Sequence, residues 1–230
     1  MLKLEKLVIK QGDFQLGTDF TIEPGRNYAV IGPSGAGKST LLSALCGFIP
    51  LERGRMIWEG RDIANTAPNA RPMTMLFQDN NLFPHLTVLQ NVGLGLRSDL
   101  GMNAEERDRV KAALARVDLS DFEKAKPATL SGGQQSRVAL ARVLVQARPL
   151  VLLDEPFAAL GPALRNEMLD LVGDMVVQTG AALVMVTHAP EDVRRIADDV
   201  IFVEGGCAHA PRPAVALMDD PPPELRAYLG

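Results

Sequence analysis

The chain has 230 residues, 47% of them hydrophobic, enough for one sizeable core with room for a smaller subdomain. Lys and Arg number 24 against 28 Asp and Glu, a net charge of −4 with no long basic block, which excludes nucleic-acid binding through an electrostatic face. No run approaches the about 18 apolar residues of a membrane span, so a membrane role must come through a partner.

The N-terminal "MLKLEKLVIK" alternates charge and apolarity as a strand does and is no signal peptide. Further β-prone runs follow: "NYAVI", "RMIW", "MTMLF", "LVLLD", "ALVMVT" and "VIFVE". Helical patterns separate several of them, and strands alternating with helices predict a mostly parallel α/β sheet covered on both faces. Cys46 and Cys207 lie far apart without metal-ligand spacing, as packing thiols of a reducing compartment do.

Between "YAVI" and the helix-like "LLSALCGF" stands "GPSGAGKST": Gly32, Pro33, Ser34, Gly35, Ala36, Gly37, Lys38, Ser39 and Thr40. It matches G-x-x-x-x-G-K-[ST] in the strand–loop–helix context that makes the pattern specific. Its glycines let backbone N–H groups curl around phosphate oxygens, and the helix N-terminus adds about half a positive charge. Lys38 is expected on the β- and γ-phosphates of a nucleotide, and the Ser39 hydroxyl on magnesium.

Gln78 ends "MTMLF", where its amide can contact water or magnesium. From about residue 80 to 130 the pattern is mostly helical and interrupts the alternation. Asn103 and Glu106 form an N-x-x-E helix start, and the charged helix after them carries no assigned chemistry. Then comes "LSGGQQSR", Leu130 to Arg137, with two glycines just before a good helix. By themselves these residues fit either a flexible cap or a close approach of backbone N–H groups to an anion.

"LVLLDEPF" is a buried strand with Asp154 at its carboxyl end, where open parallel sheets bind ligands. Asp154 suits a magnesium contact. Glu155 suits the general base that polarises an attacking water. After Pro162, residues Leu164, Met168, Leu171, Val172 and Met175 predict one buried helix face. "ALVMVTH" ends in His188, which can approach a γ-phosphate at the same sheet edge. The tail from Gly205, with "APRPAV" and "DDPPPEL", predicts no further domain.

Together these residues resemble the ATP-binding subunit of an ABC transporter over nearly the whole chain. The phosphate loop looks like Walker A, "LVLLDE" like Walker B, "LSGGQ" like the family signature, Gln78 like the Q-loop and His188 like the H-loop. The resemblance implies one ABC ATP-binding domain over 1–230. It would be a P-loop NTPase core with a mostly parallel sheet, an N-terminal antiparallel β part and a helical subdomain inserted at about 80–135. It also implies ATP and Mg2+ as ligands, with Glu155, His188 and Gln78 catalytic and Ser39, Gln78 and Asp154 at the metal. Ser131, Gly132, Gly133 and Gln134 would close over ATP held by a second copy, giving a two-fold ATP-sandwich dimer.

Two positions depart from the family pattern. The loop after Walker B reads "AALG", with Gly161 where the family has aspartate, which puts coupling between the two sites in doubt. The adenine-stacking aromatic is not evident; Phe14 is the nearest candidate, with a core phenylalanine as the other reading.

"MLFQDNNLFPHLTVLQNVGLGL", with its paired Asn80 and Asn81, resembles most the ATPase subunit of bacterial thiamine importers. That resemblance implies an integral membrane permease touching Leu82 and Phe83, and indirectly a periplasmic thiamine-binding protein. It implies a location on the cytoplasmic face of the bacterial inner membrane. The alternatives are an importer ATPase for a polyamine, iron or an anion, a non-transport ABC ATPase, and a regulator that binds nucleotide without turnover.

Overall fold

The first strand, β1 (Leu2–Gln11), buries Leu2 and Leu4 and then changes phase to bury Leu7 and Ile9. The shift falls at Lys6, whose φ is 45°, and the pairing with β2 (Phe14–Ile22) slips between Leu4 and Leu7. This β-bulge reconciles an imperfect alternation with one buried face. The computed structural model describes residues 1–223, 225 and 226.

In chain order there follow β3 (Asn27–Ile31), α1 (Lys38–Cys46), β4 (Leu51–Trp58), β5 (Arg61–Asp62) and β6 (Met73–Leu76). Next come α2 (Val88–Gly93), α3 (Ala104–Arg116), α4 (Gly132–Leu144), β7 (Leu150–Asp154), α5 (Pro162–Thr179) and β8 (Ala182–Val186). The chain continues through α6 (Pro190–Ile196), β9 (Asp199–Glu204), β10 (Cys207–Ala208), β11 (Arg212–Pro213) and α7 (Ala214–Asp219). Two compact units emerge. One comprises Met1–Met75, Pro149–Glu155 and Val176–Gly230; the other comprises Leu76–Arg148 and Pro156–Met175.

In the first unit, β1, β2, β4 and β5 pair antiparallel, whereas β9, β3, β8 and β7 pair in parallel. Successive side chains of a strand point to opposite faces, so each parallel strand feeds two cores. Tyr28 and Val30 of β3 pack with Leu41, Leu42 and Leu45 of α1. Ala29 and Ile31 pack with Val193 of α6 and Leu217 of α7. The continuous apolar runs read from the sequence are this two-sided burial. The tail from Gly205 adds β10, β11 and α7 to the same unit, with Leu217 and Met218 buried. Cys46 is buried and Cys207 half-buried, and both are free thiols; burial pushes the Cys46 thiol up to about 12.

Arg71 is a buried cation that sequence patterning does not reveal. Its guanidinium donates to the carbonyls of Ala44 and Leu45 at the end of α1, at 3.0 and 2.5 Å, and to Thr66 and Ala64 at 2.9 and 2.8 Å. A cation at a helix C-terminus satisfies the orphan carbonyls and the negative end of the dipole. Arg71 thereby fixes the far end of the helix that begins at the phosphate loop.

The second unit is helical, and the starts of α2, α3 and α4 each carry a capping box. Thr87 pairs with Gln90, Asn103 with Glu106, as the N-x-x-E spacing predicts, and Ser131 with Gln134. In α5 the buried set is Met168, Leu169, Val172, Met175 and Val176. Leu164 and Leu171, expected on that face, are half-buried, and Leu169 and Val176 take their place. The apolar stripe is wider than the i, i+4, i+7 set selects, as a helix facing a broad core requires. Among the described residues no helix is long and apolar enough to cross a membrane.

Candidate functional site

The phosphate-loop residues Gly32 to Gly37 join β3 to α1, and Gly37 caps that helix with a φ of 103°. A Cβ at Gly37 would collide with the ring of Phe14, so two constraints, left-handed backbone and close packing, demand glycine there. Phe14 thus lies with its ring edge against the loop and packs on the core, as the core reading of this residue expects.

Lys38 is 5% exposed, and its Nζ donates to the carbonyls of Gly32 at 2.7 Å and Pro33 at 2.9 Å. Burial lowers its pKa, while the carboxylates of Glu155 and Asp154 act the other way. The Ser39 hydroxyl donates to Asp154 Oδ1 at 3.0 Å. Burial raises the Asp154 pKa, the Ser39 hydrogen bond opposes that, and the neighbouring Glu155 carboxylate reinforces it. The loop cation, the serine hydroxyl and the strand-end carboxylate therefore converge within the first unit.

Strands β7 and β8 end in register, Asp154 opposite Val186. One residue further, Glu155 turns with a φ of 47°, and its N–H donates to the Val186 carbonyl at 3.2 Å. A non-glycine residue in that region is strained, and such strain persists where the surroundings over-determine it. The turn brings the Glu155 carboxylate Oε1 onto His188 Nε2, with side-chain exposures of 16% and 44%. His188 sits just beyond β8, in a turn where the Thr187 hydroxyl accepts from Ala189 N–H at 3.1 Å and bonds Asp192 Oδ2 at 2.5 Å. Asp192 is buried, and no periodicity in the sequence singles it out.

Gln78, Ser131, Gly132, Gly133 and Gln134 belong to the second unit. Gln78 lies two residues beyond β6, exposed in a turn. Ser131 is the N-cap of α4: its Oγ accepts from Gln134 N–H at 3.3 Å, and its own N–H donates to Gln134 Oε1 at 2.9 Å. The cap is built, not flexible. Gly132 is exposed, with open space where a Cβ would stand. Gly133 is buried, and a Cβ there would collide with the Leu164 side chain, so its small size has a cause within the chain itself. A cavity of about 260 Å³ lies beside this helix start, lined by Ser131, Gly133, Gln134, Arg137 and Leu164 among others. Gly161 occupies the N-cap place of α5, its carbonyl accepting from Arg165 N–H at 2.9 Å.

The family described as ABC transporter matches residues 16–158. The chain is 56% identical over 230 residues to the "Thiamine import ATP-binding protein ThiQ" of Cereibacter sphaeroides, covering 100% of both chains. It is likewise 56% identical, over the full length of both, to the protein of the same name from a Ruegeria species. Among solved structures it resembles a dimeric ATP-binding cassette in a post-hydrolysis state bound to ADP and Pi. That likeness has 28% identity and a TM-score of 0.80, covering 93% of this chain and 99% of the other. The chain belongs to the ABC transporter family, among its ATP-binding proteins.

Proposed function

We propose that this chain is the ATP-hydrolysing subunit that powers a bacterial thiamine importer. The observation that carries the hydrolytic reading is the convergence of Lys38, the Ser39–Asp154 pair and the Glu155–His188 pair at adjoining strand ends. The full-length relatives named for thiamine import support the substrate. Thiamine itself is carried by the membrane partner and does not touch this chain.

In the proposed reaction ATP binds along the phosphate loop, with the Lys38 ammonium on its β- and γ-phosphates. The water attacking the γ-phosphorus gives its proton to the Glu155 carboxylate as the bond from that phosphorus to the β,γ-bridging oxygen breaks, releasing ADP and inorganic phosphate. The single Nε2–H of His188 holds that carboxylate in place before ATP binds and turns to the γ-phosphate once it is bound. Gln78 orients the water. The donor set fits magnesium: a hydroxyl and a carboxylate already joined, with the carboxylate's pKa raised by burial, a cost that a cation there would offset. No group of three or more His, Cys, Asp or Glu forms a metal cage among the described residues. Ser39 and Asp154 would therefore share magnesium with substrate phosphates, as this ion prefers, and Gln78 would add its amide. Bound there, magnesium neutralises phosphate charge.

One copy has one phosphate loop and one signature, so the working unit is a two-fold dimer, each signature closing on the partner's ATP. The exposed Ser131 and Gly132 suit that role, and the dimeric cassette among the structural relatives supports it. A permease receives the surface around Leu82 and the 46% exposed Phe83, holding the chain at the cytoplasmic face of the inner membrane. A periplasmic thiamine-binding protein delivers the solute. The test of the sandwich mixes two inactive variants: Gly132→Trp, which blocks the contact in trans, and Lys38→Ala, which cannot hold ATP in cis. Recovery of phosphate release on mixing supports trans assembly; no recovery rejects it.

A further inference from the structure

The paired Asn80 and Asn81 are explained by no role assigned above. Both have left-handed φ, 55° and 46°. Successive carbonyls point the same way in a helical conformation of either hand and alternate in an extended one, so this pair presents two carbonyls to one side. Arg142 of α4 occupies that side. Its Nη2 donates to the Asn80 carbonyl at 2.6 Å and its Nη1 to the Asn81 carbonyl at 2.8 Å. The Asn80 amide also donates to Ser136 Oγ on the same helix, at 3.3 Å.

This clasp closes the turn that carries Gln78. Asn80 N–H donates to the Phe77 carbonyl at 3.1 Å and Asn81 N–H to the Asp79 carbonyl at 2.6 Å, leaving Gln78 in the bend. The geometry points to Arg142 as a positioning residue: through the left-handed asparagine pair it sets the turn that holds Gln78 and ties it to the helix that begins at Ser131. A planar guanidinium fork matches two carbonyls at once, whereas a lysine ammonium cannot hold the same paired geometry. Asparagine is the side-chain-bearing residue that tolerates left-handed φ with least strain, which accounts for two of them in succession. The inference rests on the role proposed for Gln78.

The test compares Gln78→Ala, Arg142→Lys, Asn81→Gly and Asn81→Val by steady-state ATP hydrolysis of the purified full chain, with melting temperature as a control on folding. Asn81→Gly keeps the left-handed turn and should keep wild-type kcat. Arg142→Lys and Asn81→Val should lower kcat by about tenfold and leave KM for ATP within about twofold, because the phosphate loop is untouched. If Arg142→Lys proves poorly folded, the Asn81 pair decides, since that side chain is exposed. Equal kcat for Asn81→Gly and Asn81→Val overturns the clasp. Unchanged kcat in Gln78→Ala overturns the role of Gln78 and the inference with it. Loss in Gln78→Ala, with Arg142→Lys and Asn81→Val unimpaired, removes the clasp alone.

Discussion

The Glu155 carboxylate meets His188 Nε2 just beyond the paired ends of β7 and β8. Parallel pairing places the two residues together at one sheet edge, and the left-handed turn at Glu155 swings its side chain onto the imidazole. Replacing Glu155 by Gln keeps size and hydrogen bonding while removing the base. Turnover should fall by about 10²–10⁴-fold, with ATP binding retained. Unhydrolysed ATP should then hold the dimer closed, so gel filtration with magnesium and ATP should show a dimer; a monomer that binds ATP contradicts the sandwich.

Asp154 makes stability depend on pH in a definite direction. Burial raises its folded-state pKa above the ordinary 3.8. Between those two values the folded state binds more protons than the unfolded one, so the contribution of Asp154 is full below pH 3.8 and is lost as pH rises through the folded pKa. Asp154→Asn removes the buried charge and can still accept from Ser39. Its melting temperature should exceed that of wild type at neutral pH, and the gap should close as pH falls towards 3.8. A gap that widens on acidification refutes the argument. The variant should also lose the stabilisation that magnesium and ATP confer on wild type.

The two signature glycines should separate. Gly133→Ala drives a methyl into Leu164 and should destabilise the fold by about 1–3 kcal/mol. Leu164→Ala in the same chain should recover part of that loss, because the two sites share one contact. Gly132→Ala meets open space and should change stability by less than about 0.5 kcal/mol. Urea denaturation of the three variants measures all three expectations.

Gly161, at the N-cap place of α5, has no side chain of its own to accept from the first N–H groups of the helix. Gly161→Asp should add a cap and a favourable charge at the helix N-terminus, together about 0.5–1 kcal/mol. For a chain of this size that is a rise of about 1–4 °C in melting temperature. An unchanged or lower value means that this residue does not act as the cap its carbonyl bond to Arg165 implies.

Features carried by local pattern were legible in the sequence. The strands showed as apolar runs because both faces are buried, and the Asn103–Glu106 box showed because a cap spans four residues. Asp154 and Glu155 follow from their places at the end of β7 and just beyond it. Long-range relations were hidden. Nothing near Leu164 announces that it packs on Gly133, so local pattern offers a flexible cap or an anion contact for that glycine and not the packing need. Arg142 reaches Asn80 and Asn81 across more than sixty positions, and a lone arginine in a helix carries no sign of that. The phase change in β1 depends on a bulge at Lys6, a residue type that does not favour left-handed φ.

ATP turnover at Glu155 is proposed to drive thiamine entry. The direct measurement is uptake of labelled thiamine by cells that lack this gene and cannot make thiamine, complemented with wild type or with Glu155→Gln. Wild type should restore uptake at low external thiamine, and Glu155→Gln should leave it at the level of the deletion. Normal thiamine uptake in the deletion strain, with loss of uptake of another solute, contradicts the claim.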